Sequence, residues 1–249
     1  MLEFYIKLSG VQPELIIILS FGWHISKKYE RSMDMSINCV YMDKNQIILS
    51  ADSRETFIDE SFRDDRQKLF VNKKCQIIWT MTGVLKYNNI DYVQVVNSVM
   101  NMEEATIEEK LIAIQHIMQY PSIQLSKEEK KDIYFNMFVG TVFNGNLTTY
   151  TLEVCNGEIQ SNKNRRYTGE LEPMSSGSLK DFTKYIDKKI LKDGSEDEKV
   201  KEMTDAIYQA QKVNTYIGGG AYVGILHRDG SIKTFINGEE KKLVNKKSL

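Results

Sequence analysis

The sequence is poor in the residues that mark secreted, metal-binding or linker-containing proteins. It has only three cysteines, Cys39, Cys75 and Cys155, which are too few and too scattered for a disulfide framework or a zinc site and which fit a reducing cytoplasm. Three prolines and 15 glycines in 249 residues leave no flexible linker and no low-complexity tract. With 41% hydrophobic and 27% charged residues, the chain is too apolar for disorder and long enough for one large domain, or at most two.

An excess of charge of one sign is also missing. The 33 Lys and Arg residues nearly balance the 34 Asp and Glu residues, which gives a net charge of −1, and both signs are spread along the chain. A protein that binds nucleic acid or an anionic membrane normally carries a basic patch. We therefore expect no nucleic-acid partner and no membrane partner.

The sequence lacks a hydrophobic run long enough to cross a membrane. The most apolar stretch, residues 15–23, is roughly half as long as the ~20 residues that a transmembrane helix needs. It follows Glu3 and Glu14, and no small-x-small cleavage site comes after it, so it is a poor signal peptide. We expect residues 1–35 to be a propeptide or an untranslated extension, and residues 36–249 to form a single working domain.

From Ser36 onward, short runs of β-branched and aromatic residues alternate with turn residues. The pattern predicts a hairpin over residues 36–51 and a second hairpin over residues 68–81. The period of the apolar residues then becomes helical, which predicts one helix over residues 90–100 and another from about residue 107.

The second half of the chain repeats this order. The predicted elements are a hairpin over residues 133–154, a small-residue turn at 174–178 that opens a helix over 179–191, a helix over 196–213, and a last hairpin over 221–236. Paired helices between runs of antiparallel strands predict an α+β fold of two antiparallel sheets face to face with the helices outside, rather than a parallel βαβ fold.

The first predicted hairpin carries a family resemblance. Residues 36–54, SINCVYMDKNQIILSADSR, resemble the opening hairpin of proteasome β-type subunits, which belong to the N-terminal-nucleophile hydrolases. Asp52 and Lys68 follow Ser36 by 16 and 32 residues, which is the family's spacing from nucleophile to aspartate to lysine. The resemblance extends from residue 36 to about residue 240, and it implies a four-layer αββα sandwich and, usually, assembly into rings.

The resemblance also implies the site residues. Ser36 would be the nucleophile, and a Lys68 that points inward would need Asp52 beside it, because an uncompensated buried charge is costly. Gly83, in a stretch similar to the family's oxyanion loop, would bind the oxyanion through its amide. Ser176, in a stretch similar to the family's Gly-Ser-Gly-Ser turn, would orient the terminal amine, although it could also cap the helix predicted after it. No cofactor and no metal site are predicted.

Three positions depart from the family. Its nucleophile is usually threonine, whereas Ser36 has the same hydroxyl without the methyl group. In place of an aspartate and a serine near the last loop, this sequence has Asn214 and Ile217. The hydrogen-bond network that tunes the terminal amine is therefore expected to be thinner than in the family.

Two functions follow from these observations. The first is a cytoplasmic hydrolase of peptide bonds, in which either the α-amine of Ser36 or Lys68 is the base. The second is a catalytically silent proteasome-like subunit that acts as a scaffold or binding module. The expected partners are a peptide or unfolded protein as substrate, further copies in a homo-oligomeric ring and, as an open option, an ATP-dependent unfoldase. Ser36 would become terminal by initiation at Met35 or by autocatalytic cleavage after Met35.

Overall fold

The computed structural model describes residues 2–7, 16–21, 32–33, 36–57, 61–130, 132–166, 171–177 and 182–243, of which 2–33 and 161–177 are described by their backbone alone. The strands, in chain order, are β1 (Leu2–Lys7), β2 (Ile16–Phe21), β3 (Ser32–Met33), β4 (Ile37–Met42), β5 (Gln46–Asp52), β6 (Glu55–Phe57), β7 (Phe62–Arg63), β8 (Leu69–Asn72), β9 (Ile77–Gly83), β10 (Lys86–Tyr87), β11 (Ile90–Asp91), β12 (Tyr134–Phe143), β13 (Asn146–Cys155), β14 (Glu158–Arg166), β15 (Leu171–Gly177), β16 (Ala221–His227), β17 (Ile232–Ile236) and β18 (Glu239–Glu240). The helices are α1 (Tyr92–Met100), α2 (Ile107–Glu129), a 3₁₀ turn (Phe182–Tyr185), α3 (Lys188–Asp193) and α4 (Glu196–Val213).

Two antiparallel sheets form the centre of the molecule. One has the strand order β15-β4-β5-β16-β17-β18, and the other has the order β14-β13-β12-β9-β8. An apolar cluster between them joins their inner faces, and its buried members are Val40, Met42, Ile47, Leu49, Leu69, Val71, Ile78, Phe138, Leu147 and Leu226.

Helices cover both outer faces. Helices α1 and α2 pack on the five-stranded sheet in one apolar cluster, and α3 and α4 pack on the six-stranded sheet in another. The fold is therefore the predicted α+β sandwich of four αββα layers. None of the helices in the described residues is both long and apolar enough to cross a membrane.

Local sequence signals explain most of the element boundaries. Asp43 Oδ1 accepts hydrogen bonds from the amides of Asn45 and Gln46 at 2.8 and 3.0 Å, which closes the turn between β4 and β5. Helix α4 begins with a capping box between Ser195 and Glu198, and the acidic residues of its first turn suit the helix dipole. The predicted hairpins and the helices α1, α2 and α4 are confirmed.

The turn predicted at residues 174–178 is wrong, and the helix predicted over residues 179–191 is confirmed only in part. Residues 174–177 belong to β15, which pairs antiparallel with β4, so that Ser176 lies opposite Asn38. Only the short 3₁₀ turn and α3 follow within the described residues of that stretch. A run of small residues has no apolar period of its own, so long-range pairing with β4 decides its conformation.

Candidate active site

The predicted site residues meet where the two sheets end side by side. Ser36 immediately precedes β4, Asp52 ends β5, and Lys68 immediately precedes β8 of the opposite sheet. Lys68 Nζ lies 2.5 Å from Ser36 Oγ and 2.9 Å from Asp52 Oδ1. The structure thus places the ammonium group in direct contact with both the hydroxyl and the carboxylate.

Lys68 is held by three acceptors. Besides Ser36 Oγ and Asp52 Oδ1, its Nζ donates to the main-chain oxygen of Arg54. The Ser36 hydroxyl lies 3.4 Å from that same oxygen, to which it donates. Because an ammonium group has three hydrogens and no lone pair, three acceptors around Nζ fit the charged form of Lys68.

Four hydrogen-bond donors surround the carboxylate of Asp52. Its Oδ1 accepts from the amide of Ile37 at 3.1 Å as well as from Lys68, and its Oδ2 accepts from the amides of Arg54 at 3.3 Å and Gly218 at 3.2 Å. Four donors around two oxygens fit the ionised carboxylate.

The ion pair is completely buried, because the side chains of Asp52 and Lys68 are both 0% exposed. Desolvation of two charges is compensated only where the geometry is good and the remaining polar atoms are hydrogen-bonded. Ser36, at 6% exposure, is the member of this group nearest to solvent. Burial of two charges carries a large desolvation free energy, and buried ion pairs of this kind are common at functional sites.

Arg54 is a site residue that the sequence analysis missed. Its guanidinium makes a two-pronged contact with Asp64, at 2.7 and 2.8 Å, and donates to the main-chain oxygen of Thr215 at 2.6 Å. The guanidinium also lies 3.8 Å from the centre of the Phe62 ring. Hydrogen bonding to Arg54 lowers the pKa of the Asp64 carboxyl, and the same bonding raises the pKa of Arg54.

These contacts fix the Arg54 carbonyl that faces Lys68 and Ser36. The only signal in the sequence was the position of Arg54 two residues after Asp52. A main-chain oxygen is present in every residue, so the sequence does not reveal which one will be used.

The last loop, residues 214–220, contacts the end of β5 that carries Asp52. The amide of Gly218 contacts Asp52, while Ser53 Oγ accepts from the amide of Gly220 at 2.7 Å and donates to the main-chain oxygen of Asp64 at 2.6 Å. Gly219 has φ +72°, and a Cβ there would lie 2.2 Å from Ser53 Oγ. Only glycine fits this approach.

Asn214 and Ile217 of the last loop have structural roles of their own. Asn214 ends α4, and its Oδ1 accepts from the amide of Tyr216 at 3.0 Å. Ile217 is 1% exposed and packs in the cluster beneath α4. The loop presents the Gly218 amide to Asp52 Oδ2.

Gly83 and Ser176 are placed near this group by the backbone. Gly83 ends β9 with φ +98°, two residues after Met81, whose amide donates to the main-chain oxygen of Lys68 at 3.1 Å. Ser176 lies opposite Asn38 on the strand beside β4, and its side chain lies outside the described residues. The structure thus brings Ser36, Asp52 and Lys68 into contact and sets Gly83 and Ser176 on the neighbouring strands.

Other side chains at this end offer no metal centre. Among the residues with described side chains, no three or more His, Cys, Asp or Glu groups gather as metal ligands would. Cys39, on the face of β4 opposite to Ser36, is completely buried in the cluster beneath α4, as expected of a structural thiol rather than a nucleophile.

Solved structures share this architecture. Anbu (ancestral beta-subunit) from Yersinia bercovieri superposes with a TM-score of 0.53 at 12% sequence identity, over 80% of this chain and 86% of that chain. The Anbu (Gly-1) mutant from Hyphomicrobium sp. strain MC1 superposes with a TM-score of 0.51 at 12% identity, over 81% of this chain and 86% of that chain.

The sequence matches no protein-family model and no curated protein. At 12% identity the likeness establishes the fold. The chain has an α+β, proteasome-like fold.

Proposed function

We propose that this chain is a cytoplasmic proteasome-like peptidase in which Ser36, freed as the amino-terminal residue, cleaves peptide bonds. The observation that carries the proposal is the 2.5 Å contact of Lys68 Nζ with Ser36 Oγ inside the buried Asp52–Lys68 pair. A hydroxyl beside a buried ammonium has its alkoxide form stabilised electrostatically, which is how a weak nucleophile becomes reactive.

Ser36 Oγ would attack the peptide carbonyl while its proton passes to a nitrogen base. The three acceptors around Lys68 Nζ favour an ammonium, so we assign the base to the α-amine of Ser36, whose reference pKa is about 7.7–8.0. That amine would then protonate the leaving amine as the carbon–nitrogen bond breaks. Water, activated by the same amine, would hydrolyse the acyl ester on Ser36.

Three further groups would support this reaction. The amide of Gly83 would bind the oxyanion, a contribution of about 3–4 kcal/mol for a donor of this kind. Ser176 would orient the amine by hydrogen bonding. Arg54 would act through its carbonyl, which holds Lys68 and Ser36 together.

The direct test compares chains that begin with an authentic Ser36. Intact mass and N-terminal sequencing of the protein expressed from its own gene should show Ser36 as the first residue, by initiation at Met35 or by cleavage after it. Such protein should turn over fluorogenic peptides and form an ester with a β-lactone probe. Ser36→Ala should abolish both activities without loss of folding, and Ser36→Thr should keep them.

The alternative is a silent subunit that acts as a scaffold. Asn214 caps its own loop and Ile217 is buried, so the last loop supplies fewer polar groups for tuning the amine than the family has. An authentic Ser36 terminus with no turnover across a broad peptide library and no β-lactone adduct would establish that reading and exclude the peptidase.

We also propose that copies of the chain assemble into a closed ring, because an open site of this kind would hydrolyse cellular proteins indiscriminately. The likeness of the fold to an ancestral beta-subunit, which by its name is one part of an assembly, supports this proposal. Sedimentation at micromolar concentration should show an oligomer. A single species near 28.8 kDa or smaller would exclude the ring. An ATP-dependent unfoldase would be a fitting partner for such a chamber.

A further inference from the structure

The contact between Ser36 and Lys68 crosses from one sheet to the other. Ser36 immediately precedes β4 and Asp52 ends the neighbouring strand β5 of the same sheet, where the amide of Ile37 donates to Asp52 Oδ1. Lys68 enters from the opposite sheet. Strand pairing therefore sets the distance from Ser36 to Asp52, but it does not set the distance from Ser36 to Lys68.

Most of the layer between the sheets cannot set that distance either. Its cluster consists of aliphatic, methionine and phenylalanine side chains. Apolar packing is strong but has no direction, so it holds the two sheets together without defining a hydrogen-bond geometry at their ends.

A directional contact between described side chains also lies within this layer. Asn38 Nδ2 donates to Thr80 Oγ1 at 3.2 Å, and both residues are 0% exposed. Asn38 is on the same face of β4 as Ser36, two residues further on. Thr80 lies opposite Leu69, the residue after Lys68, and the next residue, Met81, donates its amide to the main-chain oxygen of Lys68.

We propose that the Asn38–Thr80 hydrogen bond is a positioning contact that holds Lys68 Nζ against Ser36 Oγ. The inference rests on the proposed function for its catalytic consequence, although its geometric consequence is independent of activity. Folding stability alone does not require such a pair. Replacing both residues with apolar side chains of the same shape can leave the free energy of unfolding nearly unchanged.

Substitutions of nearly equal volume separate positioning from stability. Thr80→Val removes the hydroxyl and should lower the rate of Ser36 acylation by a β-lactone, and kcat for a fluorogenic peptide, by about 10- to 100-fold with little change in KM. Thr80→Ser keeps the hydroxyl and should restore the rate. Thr148→Val is the matched control, since Thr148 is 0% exposed in the same sheet and its hydroxyl has no hydrogen-bond partner among the described residues.

The double variant Asn38→Leu/Thr80→Val gives the sharpest comparison. It also removes the Asn38 amide, which Thr80→Val deprives of its Thr80 acceptor, so its free energy of unfolding in urea should recover relative to Thr80→Val, while acylation should stay slow. Recovery of both stability and acylation in the double variant would overturn the proposal, because the pair would then matter for stability only.

Crystal structures of the wild type, Thr80→Val and Thr148→Val test the geometry even if the protein has no peptidase activity. The contact between Ser36 Oγ and Lys68 Nζ should be lost in Thr80→Val and kept in Thr148→Val. An unchanged contact in Thr80→Val would overturn the positioning role. An inactive wild type would overturn the proposed function alone.

Discussion

The amide of Gly218 donates to Asp52 Oδ2 at 3.2 Å, although the two residues are 166 positions apart in the chain. Through this bond the last loop is tied to the end of β5. The other oxygen of this carboxylate, Oδ1, accepts hydrogen bonds from the amide of Ile37 and from the ammonium of Lys68. Asp52 is thus the point at which three distant segments of the chain are joined, and its charge is a structural as well as a chemical feature.

Asp52→Asn should destabilise the protein strongly. The variant leaves the ammonium of Lys68 buried beside a neutral amide, and loss of one partner of a buried ion pair costs about 3–5 kcal/mol of unfolding free energy. Urea denaturation would measure the loss. The matched control is Asp205→Asn, which breaks the exposed pair of Lys201 and Asp205 on α4 and should change stability little. Equal effects of the two variants would contradict the account of the buried pair.

Gly218→Ala should displace Arg54. A Cβ at Gly218 would lie 2.1 Å from Arg54 Nε and 2.2 Å from its Cζ, and the guanidinium cannot move without losing Asp64 and Thr215. We expect a loss of about 1–3 kcal/mol in unfolding free energy together with slower labelling of Ser36 by a β-lactone.

The control for this variant is Gly145→Ala. Gly145 has φ +72° and no atom within 4 Å of its added Cβ, so the change should cost only backbone strain of about 1 kcal/mol and leave labelling unchanged. If Gly218→Ala labelled as fast as Gly145→Ala, the role given to Arg54 would be wrong.

Gly140→Ala should destabilise the protein by overpacking the layer between the two sheets. The added Cβ would lie 2.8 Å from Cγ2 of Ile47 and 3.2 Å from Cγ1 of Ile78, so the variant should lose about 1–3 kcal/mol of unfolding free energy. Ile47→Ala removes Cγ2 and should also destabilise by itself. The double variant should lose less than the sum of the two, because each change relieves the other. Strict additivity in urea titrations would count against this close approach.

Lys110 should make stability depend on pH in the alkaline range. Its side chain is buried and donates to the main-chain oxygen of Met100 at 3.3 Å, and burial lowers its pKa from the ordinary value of 10.5. Between the two pKa values the unfolded chain binds more protons than the folded one, so the Lys110 contribution to stability rises with pH there.

Lys110→Met should remove this dependence. Its gain in stability relative to the wild type should be largest at neutral pH and should shrink toward pH 10.5. Lys127→Met, at an exposed position of the same helix, should show no such trend. Thermal unfolding of the three proteins from pH 7 to pH 10.5 would show a constant difference if burial of Lys110 carried no penalty.

The parts of the fold that depend on neighbouring residues could be predicted from the sequence. The turn at Asp43 and the capping box at Ser195 are local hydrogen-bond patterns, and the helical period of α1 and α2 shows which face is buried. The spacing of Ser36, Asp52 and Lys68 indicated the candidate site because it matches a family pattern.

Other features depended on contacts between distant segments. The strand at residues 171–177 exists because β4 pairs with it, and the small residues of that stretch carry no periodic signal. The amide of Gly218 donates a hydrogen bond to Asp52, and the carbonyl of Arg54 accepts one from Lys68. Every residue except proline offers the same amide, and every residue offers the same carbonyl. The spacing shared with a known family could therefore indicate the acid, the lysine and the serine, but only the packing of the two sheets and the last loop decided which main-chain groups surround them.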